Sequence, residues 1–586
     1  MFYKISLILA LSVGIFWACS KDSELEEIED EIDNSESTVT DATSENSADH
    51  EAVADYTWDS STVLPVVLNG ATITENAAGA TASGSKLTIT SAGNYSFSGT
   101  LTDGQIVVNT TDVATVRLIL NGVDIHNSTS APIYVKSAKK VVIVLADGTK
   151  NSLTDGTSYT YDVVADQEPN ACLFSKADLS IFGSGQLTVT GNFGDAISGK
   201  DGLIIKSGTL AVTAADDGIR GKDYLVVKSG NLTVNAKGDG LKSDNVEDAT
   251  KGYISIESGT VTVVSTGDAI AAETDVLIKS GQFNLTSGGG SSKSASATVS
   301  SKAIKALVSL IIDGGTFIIS SADDAIHSNS SVAVNGGTFS ISTADDGIHA
   351  ETALGISGGN ILITKSYEGL ESKVITINKG EIRLTASDDG VNCADGTSSG
   401  GAPGGFPGGG GITSGSCYLY INGGYVLVNA GGDGIDINGS VVMTDGTLVV
   451  NGPTENMNGP LDYDGSFKIS GGSVLAAGSS GMAMIPGTTS TQYSVLLNLS
   501  SAKTAGTLVR FQTSDGKELF TFAPTKKYQS VAYSSSLITN GTVIDVYFGG
   551  TSTGTLTDGI YSGGTYSGGT KYTSITVSGV ATKVTR

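Results

Sequence analysis

The residues best suited to chemistry in this chain are carboxylates held in a repeating frame. One or two acidic residues are followed by Gly or Ala and then by an aliphatic residue. The runs are Asp216-Asp217-Gly218-Ile219, Asp239-Gly240-Leu241, Asp323-Asp324-Ala325-Ile326, Asp345-Asp346-Gly347-Ile348, Glu368-Gly369-Leu370 and Asp388-Asp389-Gly390-Val391. Asp217 to Asp239 is 22 residues, as are Asp324 to Asp346 and Asp346 to Glu368. If each interval is one turn of a stacked structure, equivalent carboxylates lie about 4.8 Å apart. Like charges at that distance repel unless one is protonated or a cation lies between them. Ca²⁺ suits such a gap, because it accepts about six to eight oxygens at roughly 2.3–2.6 Å, whereas Mg²⁺ demands a tighter octahedron. The candidate ligands are Asp216, Asp217 and Asp239 with Asp244; Asp323, Asp324, Asp345 and Asp346; and Asp388 and Asp389 with Asp433. Turn chemistry competes with this reading, since Asp before Gly hydrogen-bonds its own backbone. Doubled Asp in consecutive units exceeds what a turn needs.

Three residues after each reference carboxylate stands a second column: Ser198, Arg220, Lys242, Ala271, Lys305, His327, His349, Glu371, Asn392 and Asp436. The aliphatic residue before each is expected to point inward, so these point outward. Arg220, Lys242, Lys305, His327 and His349 are the candidate substrate-binding residues, and with calcium beside them they suit an acidic sugar chain. A solvent-facing ladder of mixed charge fits the same residues. His327 and His349 also offer two imidazoles to a transition metal, without a clear third ligand.

The elements that position these columns follow from a second signal on the same beat. A Ser-Gly or Gly-Gly turn separates two short apolar stretches, as in Val226-Val227-Lys228-Ser229-Gly230-Asn231-Leu232-Thr233-Val234. Apolar residues alternate within each stretch, the period-2 pattern of strands with one buried face. About three short strands per 22 residues predict an all-β chain, a right-handed parallel β-helix. A leucine-rich repeat lacks its consensus here, and a propeller blade needs a period of roughly 40. No single coil buries its own interior, so stability comes from stacking. The open ends need caps. The expected layout is a β-rich N-terminal cap over 56–170, the β-helix over 171–489 with a Gly-rich loop at 396–416, and a β-rich C-terminal cap over 490–586.

Residues 1–19 read as an export signal: Lys4, an apolar run from Ile5 to Trp17, then Ala18 and Cys19. Ala-Cys resembles the lipobox of bacterial lipoproteins, which predicts lipidation of Cys19; an ordinary signal peptide is the other reading. Residues 20–55 hold 14 acidic residues against Lys21, a composition that predicts a disordered tether. The acidic run Asp22, Glu24, Glu26 and Glu27 resembles the surface-export signal of some Gram-negative lipoproteins, so an outer-membrane or cell-surface lipoprotein is expected. A net charge of −26 excludes a nucleic-acid footprint. Cys393 and Cys417 bracket the Gly-rich loop, where either a disulfide or two buried thiols fits; Cys172 reads as a small packing residue.

Several of these runs together resemble a known family, the exported carbohydrate-binding β-helix proteins of cellulose-degrading clostridia, related in fold to family 9 pectate lyases. The resemblance rests on Ala215-Asp216-Asp217-Gly218-Ile219, the Lys-Ser-Gly-x-Leu-x-Val turns at 206–212 and 228–234, and Asp239-Gly240-Leu241-Lys242-Ser243-Asp244. The Gly-rich excursion followed by Tyr418-Leu419-Tyr420-Ile421-Asn422-Gly423-Gly424 adds to it. It implies stacked coils, bound calcium at the Asp-Asp-Gly positions, and binding of polysaccharides such as polygalacturonate and cellulose. The lyases it is similar to use calcium with a Lys or Arg base, a role that falls on Lys242. Three functions therefore stand: a calcium-dependent binder of acidic polysaccharide, a lyase using Lys242, and an adhesive surface rod. Aromatic residues are only 6% and the repeats hold no Trp, which argues against an aromatic platform for neutral cellulose.

Overall fold

The computed structural model describes residues 50–586 apart from 162 and 395–416. Cys19, most of the expected tether and the Gly-rich loop lie outside them.

Alternating burial builds three ladders. Six-residue strands such as Asn231–Ala236, Thr260–Ser265 and Gln282–Ser287 bury every second side chain. Three-residue strands such as Ile219–Gly221, Leu241–Ser243 and Ile270–Ala272 bury their first and third. Strands such as Tyr224–Val227 and Tyr253–Ile256 are buried throughout. Each strand pairs in parallel with its counterpart in the next coil, in register: Leu232 faces Val261, and Val261 faces Phe283. Among the described residues one sheet of 47 strands results, with almost no helix. Corners are made by glycines such as Gly337, whose φ of 104° is costly for any residue with a Cβ.

The interior is one continuous column. Ile197, Ile219, Leu241, Ile270, Ile304, Ile326, Ile348, Leu370, Val391 and Ile435 follow one another on the three-residue ladder, each no more than 1% exposed. Phe283, Phe317 and Phe339 stack face to face at 4.6 Å, repeating the spacing of the coils.

Both ends differ from a plain repeat. The ladder continues upstream of 171: Val63–Gly70, Gly93–Leu101, Val116–Asn127, Lys150–Asp155 and Gln186–Gly191 pair successively in parallel. The 22-residue beat is lost there because strands lengthen to 12 residues and the register shifts between Phe97 and Gly99. At the other end Ser473–Gly478 pairs antiparallel with Tyr528–Ser535, which closes the open edge. A separate six-stranded sheet, which includes Val509–Thr513 and Val543–Phe548, adds a core around Phe511, Phe520 and Phe522.

Residues 50–55, expected within the acidic tether, are folded onto the ladder. His50 stacks on Tyr224 with ring centres 3.7 Å apart and hydrogen-bonds Tyr253 Oη at 2.7 Å. Glu51 meets Lys206 at 2.8 Å and Asp55 meets Lys140 at 2.7 Å. The acidic composition predicted solvation, but these carboxylates find lysines on the β-sheet.

No disulfide joins Cys393 to Cys417; both are buried thiols, and Cys393 Sγ donates to Tyr418 O at 3.4 Å. Burial pushes the Cys393 thiol well above its ordinary value. Both are expected to ignore a thiol reagent until the protein is unfolded, and reductant should leave Tm unchanged. Rapid labelling of the folded protein, or a reductant-sensitive melt, would contradict this.

Candidate functional site

The carboxylates lie at the start of the three-residue ladder, and the register places the second column beside them. Ser198, Arg220, Lys242, Ala271, Lys305, His327, His349, Glu371, Asn392, Asp436 and Asp462 are successive partners. This line follows from geometry alone: parallel strands in register keep one outward position per coil.

The carboxylates do a structural job first. Asp217, Asp239, Asp324, Asp346 and Asp389 reach along the stack to accept a backbone N–H of the next repeat. Asp239 N–H donates to Asp217 Oδ1 at 2.8 Å, and Asp268 N–H to Asp239 Oδ1 at 2.8 Å. Asp346 N–H donates to Asp324 Oδ1 at 3.1 Å, Glu368 N–H to Asp346 Oδ1 at 3.0 Å, and Asp433 N–H to Asp389 Oδ1 at 2.6 Å. The turn chemistry of Asp-Gly is thus passed between coils. It consumes one carboxylate oxygen and leaves the other for a second partner.

In the first half of the stack that second oxygen meets a protein cation. Lys242 Nζ lies 3.0 Å from Asp217 Oδ2 and 2.8 Å from Asp239 Oδ2, in the gap where calcium was expected. Arg220 forms a bidentate pair with Asp244, another expected calcium ligand. Lys302 Nζ lies 2.6 Å from Asp323 Oδ1 and 2.7 Å from Asp324 Oδ2. Lys305 stands 3.7 Å from Asp268. Asp216 is exposed at the rim. Arg220 and Lys242 therefore do not project free into a groove; their charge is spent on neighbouring carboxylates.

This placement rules against Lys242 as a base. Burial would lower its pKa, but Asp239 and Asp217 together raise it above the ordinary lysine value. A lysine bridging two carboxylates stays an ammonium ion and has no lone pair to take a proton.

The middle of the stack holds histidines. His327 Nδ1 meets Asp324 Oδ2 at 2.8 Å, and His349 Nδ1 lies among Asp324, Asp346 and Glu371. Asp345, in the same group, is pushed up to about 7 by burial and by the charges of Asp346, Asp324 and Asp323.

The last part is uncompensated. Asp389, Asp433 and Asp436 offer oxygens within 4.8 Å of one another. Burial and the neighbouring carboxylates push Asp389 up to about 6, and Asp433 and Asp436 up to about 7. No ion pair reaches them among the described residues, and residues 395–416 contain neither Lys nor Arg. Gly432 is fixed here by close approach, since a Cβ would stand 2.3 Å from Asp389 Oδ1 and 2.4 Å from Asp388 Oδ1. Asn392, beside Asp436 in register, donates from Nδ2 to Glu368 at 2.7 Å, while its buried Oδ1 has no hydrogen-bond partner among the described residues. An orphan acceptor beside unpaired carboxylates fits a hard cation.

The motif search passed over Lys302, Asp195 and Asp268. Each was readable by aligning the repeats: Ser301-Lys302-Ala303-Ile304 and Gly194-Asp195-Ala196-Ile197 fall on Gly267-Asp268-Ala269-Ile270. A polar cleft of about 370 Å³, lined by Asp103, Gln105, Ser130, Tyr134, Lys136 and Lys176, gave no motif because its residues come from separate coils.

Comparison with known proteins places residues 83–347 on a family model described as "Carbohydrate-binding domain-containing protein". A curated protein of Acetivibrio thermocellus with the same description is 45% identical over 140 residues, which is 24% of this chain and 49% of that protein. The chain thus spans about half the length of that curated relative. A solved structure, the polysaccharide lyase-like protein from C. thermocellum as a gadolinium derivative, is 36% identical. It aligns over 42% of this chain and 96% of its own, with a TM-score of 0.40. Residues 83–347 are thus similar to the carbohydrate-binding domain family, and the described chain is all-β. That segment contains Arg220, Lys242, Lys302 and His327; His349, Glu371 and the Asp389 cluster lie beyond it.

Proposed function

We propose that this protein is a calcium-loaded binder of acidic polysaccharide, built on a closed right-handed parallel β-helix and held at the cell surface by a lipid on Cys19. The carbohydrate-binding similarity over 83–347 supports the class of ligand. The observation that carries the calcium reading is the Asp389–Asp433–Asp436 cluster, three clustered carboxylates that no ion pair reaches among the described residues. Asp388, Asp389, Asp433 and Asp436 would hold the ion. A bound dication there would supply the positive charge that a uronate chain needs to approach an acidic protein. Lys305, the most loosely paired lysine on the column, would assist.

The test is equilibrium binding of polygalacturonate with calcium and after chelation. Binding is expected to vanish on chelation, to return with calcium, and to be lost in the Asp389→Asn, Asp433→Asn double variant. Unchanged affinity after chelation would sink the reading.

A second reading concerns neutral chains. Thr209, Asn231, Thr260, Gln282, Thr316, Thr338 and Asn360 form an unbroken outward file on the six-residue ladder. A flat row of hydroxyls and amides suits hydrogen bonding to a neutral glucan, and such binding would survive chelation.

A further inference from the structure

Three carboxylates crowd one ring nitrogen in the middle of the column. His349 Nδ1 lies 3.4 Å from Glu371 Oε2, 3.5 Å from Asp346 Oδ2 and 3.8 Å from Asp324 Oδ2. All three are longer than a good N–H···O hydrogen bond of about 2.7–3.2 Å. One coil away His327 provides an internal comparison: its Nδ1 makes an ordinary contact with Asp324 Oδ2 at 2.8 Å. An imidazole seeking only an ion pair would close on one oxygen as His327 does. His349 instead stands off from all three by nearly equal distances.

Those separations are the edges of a coordination polyhedron. Zinc takes His nitrogen at about 2.0–2.1 Å and carboxylate oxygen at about 2.0–2.2 Å, which puts neighbouring tetrahedral ligands roughly 3.4 Å apart. We propose that His349 Nδ1, Asp346 and Glu371 form a three-ligand binding site, with a fourth position left to solvent, for a first-row transition-metal dication, zinc foremost. The imidazole separates this site from the all-oxygen Asp389 cluster, because nitrogen donors favour zinc-like ions over calcium. Asp324, whose Oδ2 already holds His327 and Lys302, would stand behind the site as an outer carboxylate. The side chains are partly buried, at 9% exposure for Asp346, 19% for His349 and 23% for Glu371. Metal-free, His349 is pushed up to about 9: burial lowers it, but Asp346, Glu371 and Asp324 outweigh burial. A proton thus does in the apo site what a metal would do in the loaded one.

The test is a titration of the chelator-stripped full chain with Co²⁺, followed by visible absorption and calorimetry. One equivalent is expected to bind with the intense bands of a tetrahedral site. His349→Gln and Glu371→Gln should each weaken binding by at least about tenfold, while Asp389→Asn leaves it unchanged. Excess calcium should not displace the metal. No bands and no heat, or bands of equal strength in both His349→Gln and Glu371→Gln, would overturn the assignment. If His349→Gln does not fold, Glu371→Gln and the wild-type stoichiometry decide. Loss of calcium-dependent polysaccharide binding leaves this titration untouched, so the two proposals fail separately.

Discussion

Replacing Lys242 with methionine is expected to destabilise the folded chain by about 2–4 kcal/mol, measured as a lower midpoint in denaturant at neutral pH. The lysine bridges Asp217 and Asp239, whose side chains are only 9% and 18% exposed, and is itself 28% exposed. Without it, two carboxylates one coil apart face each other with no cation, and removing one partner of a buried pair costs more than the pair is worth. Both carboxylates must keep an oxygen for the backbone, because Asp217 Oδ1 receives Asp239 N–H and Asp239 Oδ1 receives Asp268 N–H. Asparagine keeps that acceptor and drops the charge. The triple variant Lys242→Met, Asp217→Asn, Asp239→Asn should therefore recover most of the loss. Non-additivity of this size is the mark of a coupled site. A near-neutral Lys242→Met would mean that the two carboxylates are held by an added ion instead. The same variant bears on catalysis: a polysaccharide lyase dependent on Lys242 needs a neutral amine, which the bridged geometry denies.

The repeat told the outward column correctly for a physical reason. In parallel strands stacked in register, position within a coil is conserved from coil to coil, so alignment by Ile219, Leu241 and Ile270 also aligns Arg220, Lys242 and Ala271. Sequence spacing carried the ladder but not the direction of each side chain's second bond. Calcium between Asp217 and Asp239 follows from charge repulsion, and Lys242, bending back three residues, already supplies a cation in that gap. Lys302 stands at a carboxylate's own place in the repeat and neutralises the next coil. The requirement for a cation was legible; whether the chain supplied it was not. It becomes legible where the column runs out of lysine and histidine, at Asp389, Asp433 and Asp436. The end regions were harder to read, since the lengthened strand Val116–Asn127 and its shifted register erase the period while the pairing persists.

Asp195 gives the sharpest electrostatic expectation, and its sign depends on pH. The residue is 4% exposed, and burial together with the charges of Asp217 and Asp216 pushes it up to about 7. Unfolded aspartate titrates near about 3.9, so between those values the native state holds a proton that the unfolded state releases. The stability this contributes is fully present below about pH 4 and is lost as pH rises through about 7. Asn resembles the protonated acid and keeps the acceptor for Asp217 N–H, which lies 3.3 Å from Asp195 Oδ1. Asp195→Asn is therefore expected to melt like the wild type at about pH 4 and to be more stable by roughly 2–4 kcal/mol at pH 8. Chemical denaturation at the two pH values, after chelation, reads the difference directly. A variant that is less stable than the wild type at pH 8 once calcium is restored would show that the carboxylate works as an ion, bound to a metal with Asp216 and Asp217. The doubled aspartate would then be a ligand set at this end of the stack too. The expected stabilisation would instead leave Asp195 as a buried cap on the ladder and confine the calcium reading to the end of the column where no lysine reaches.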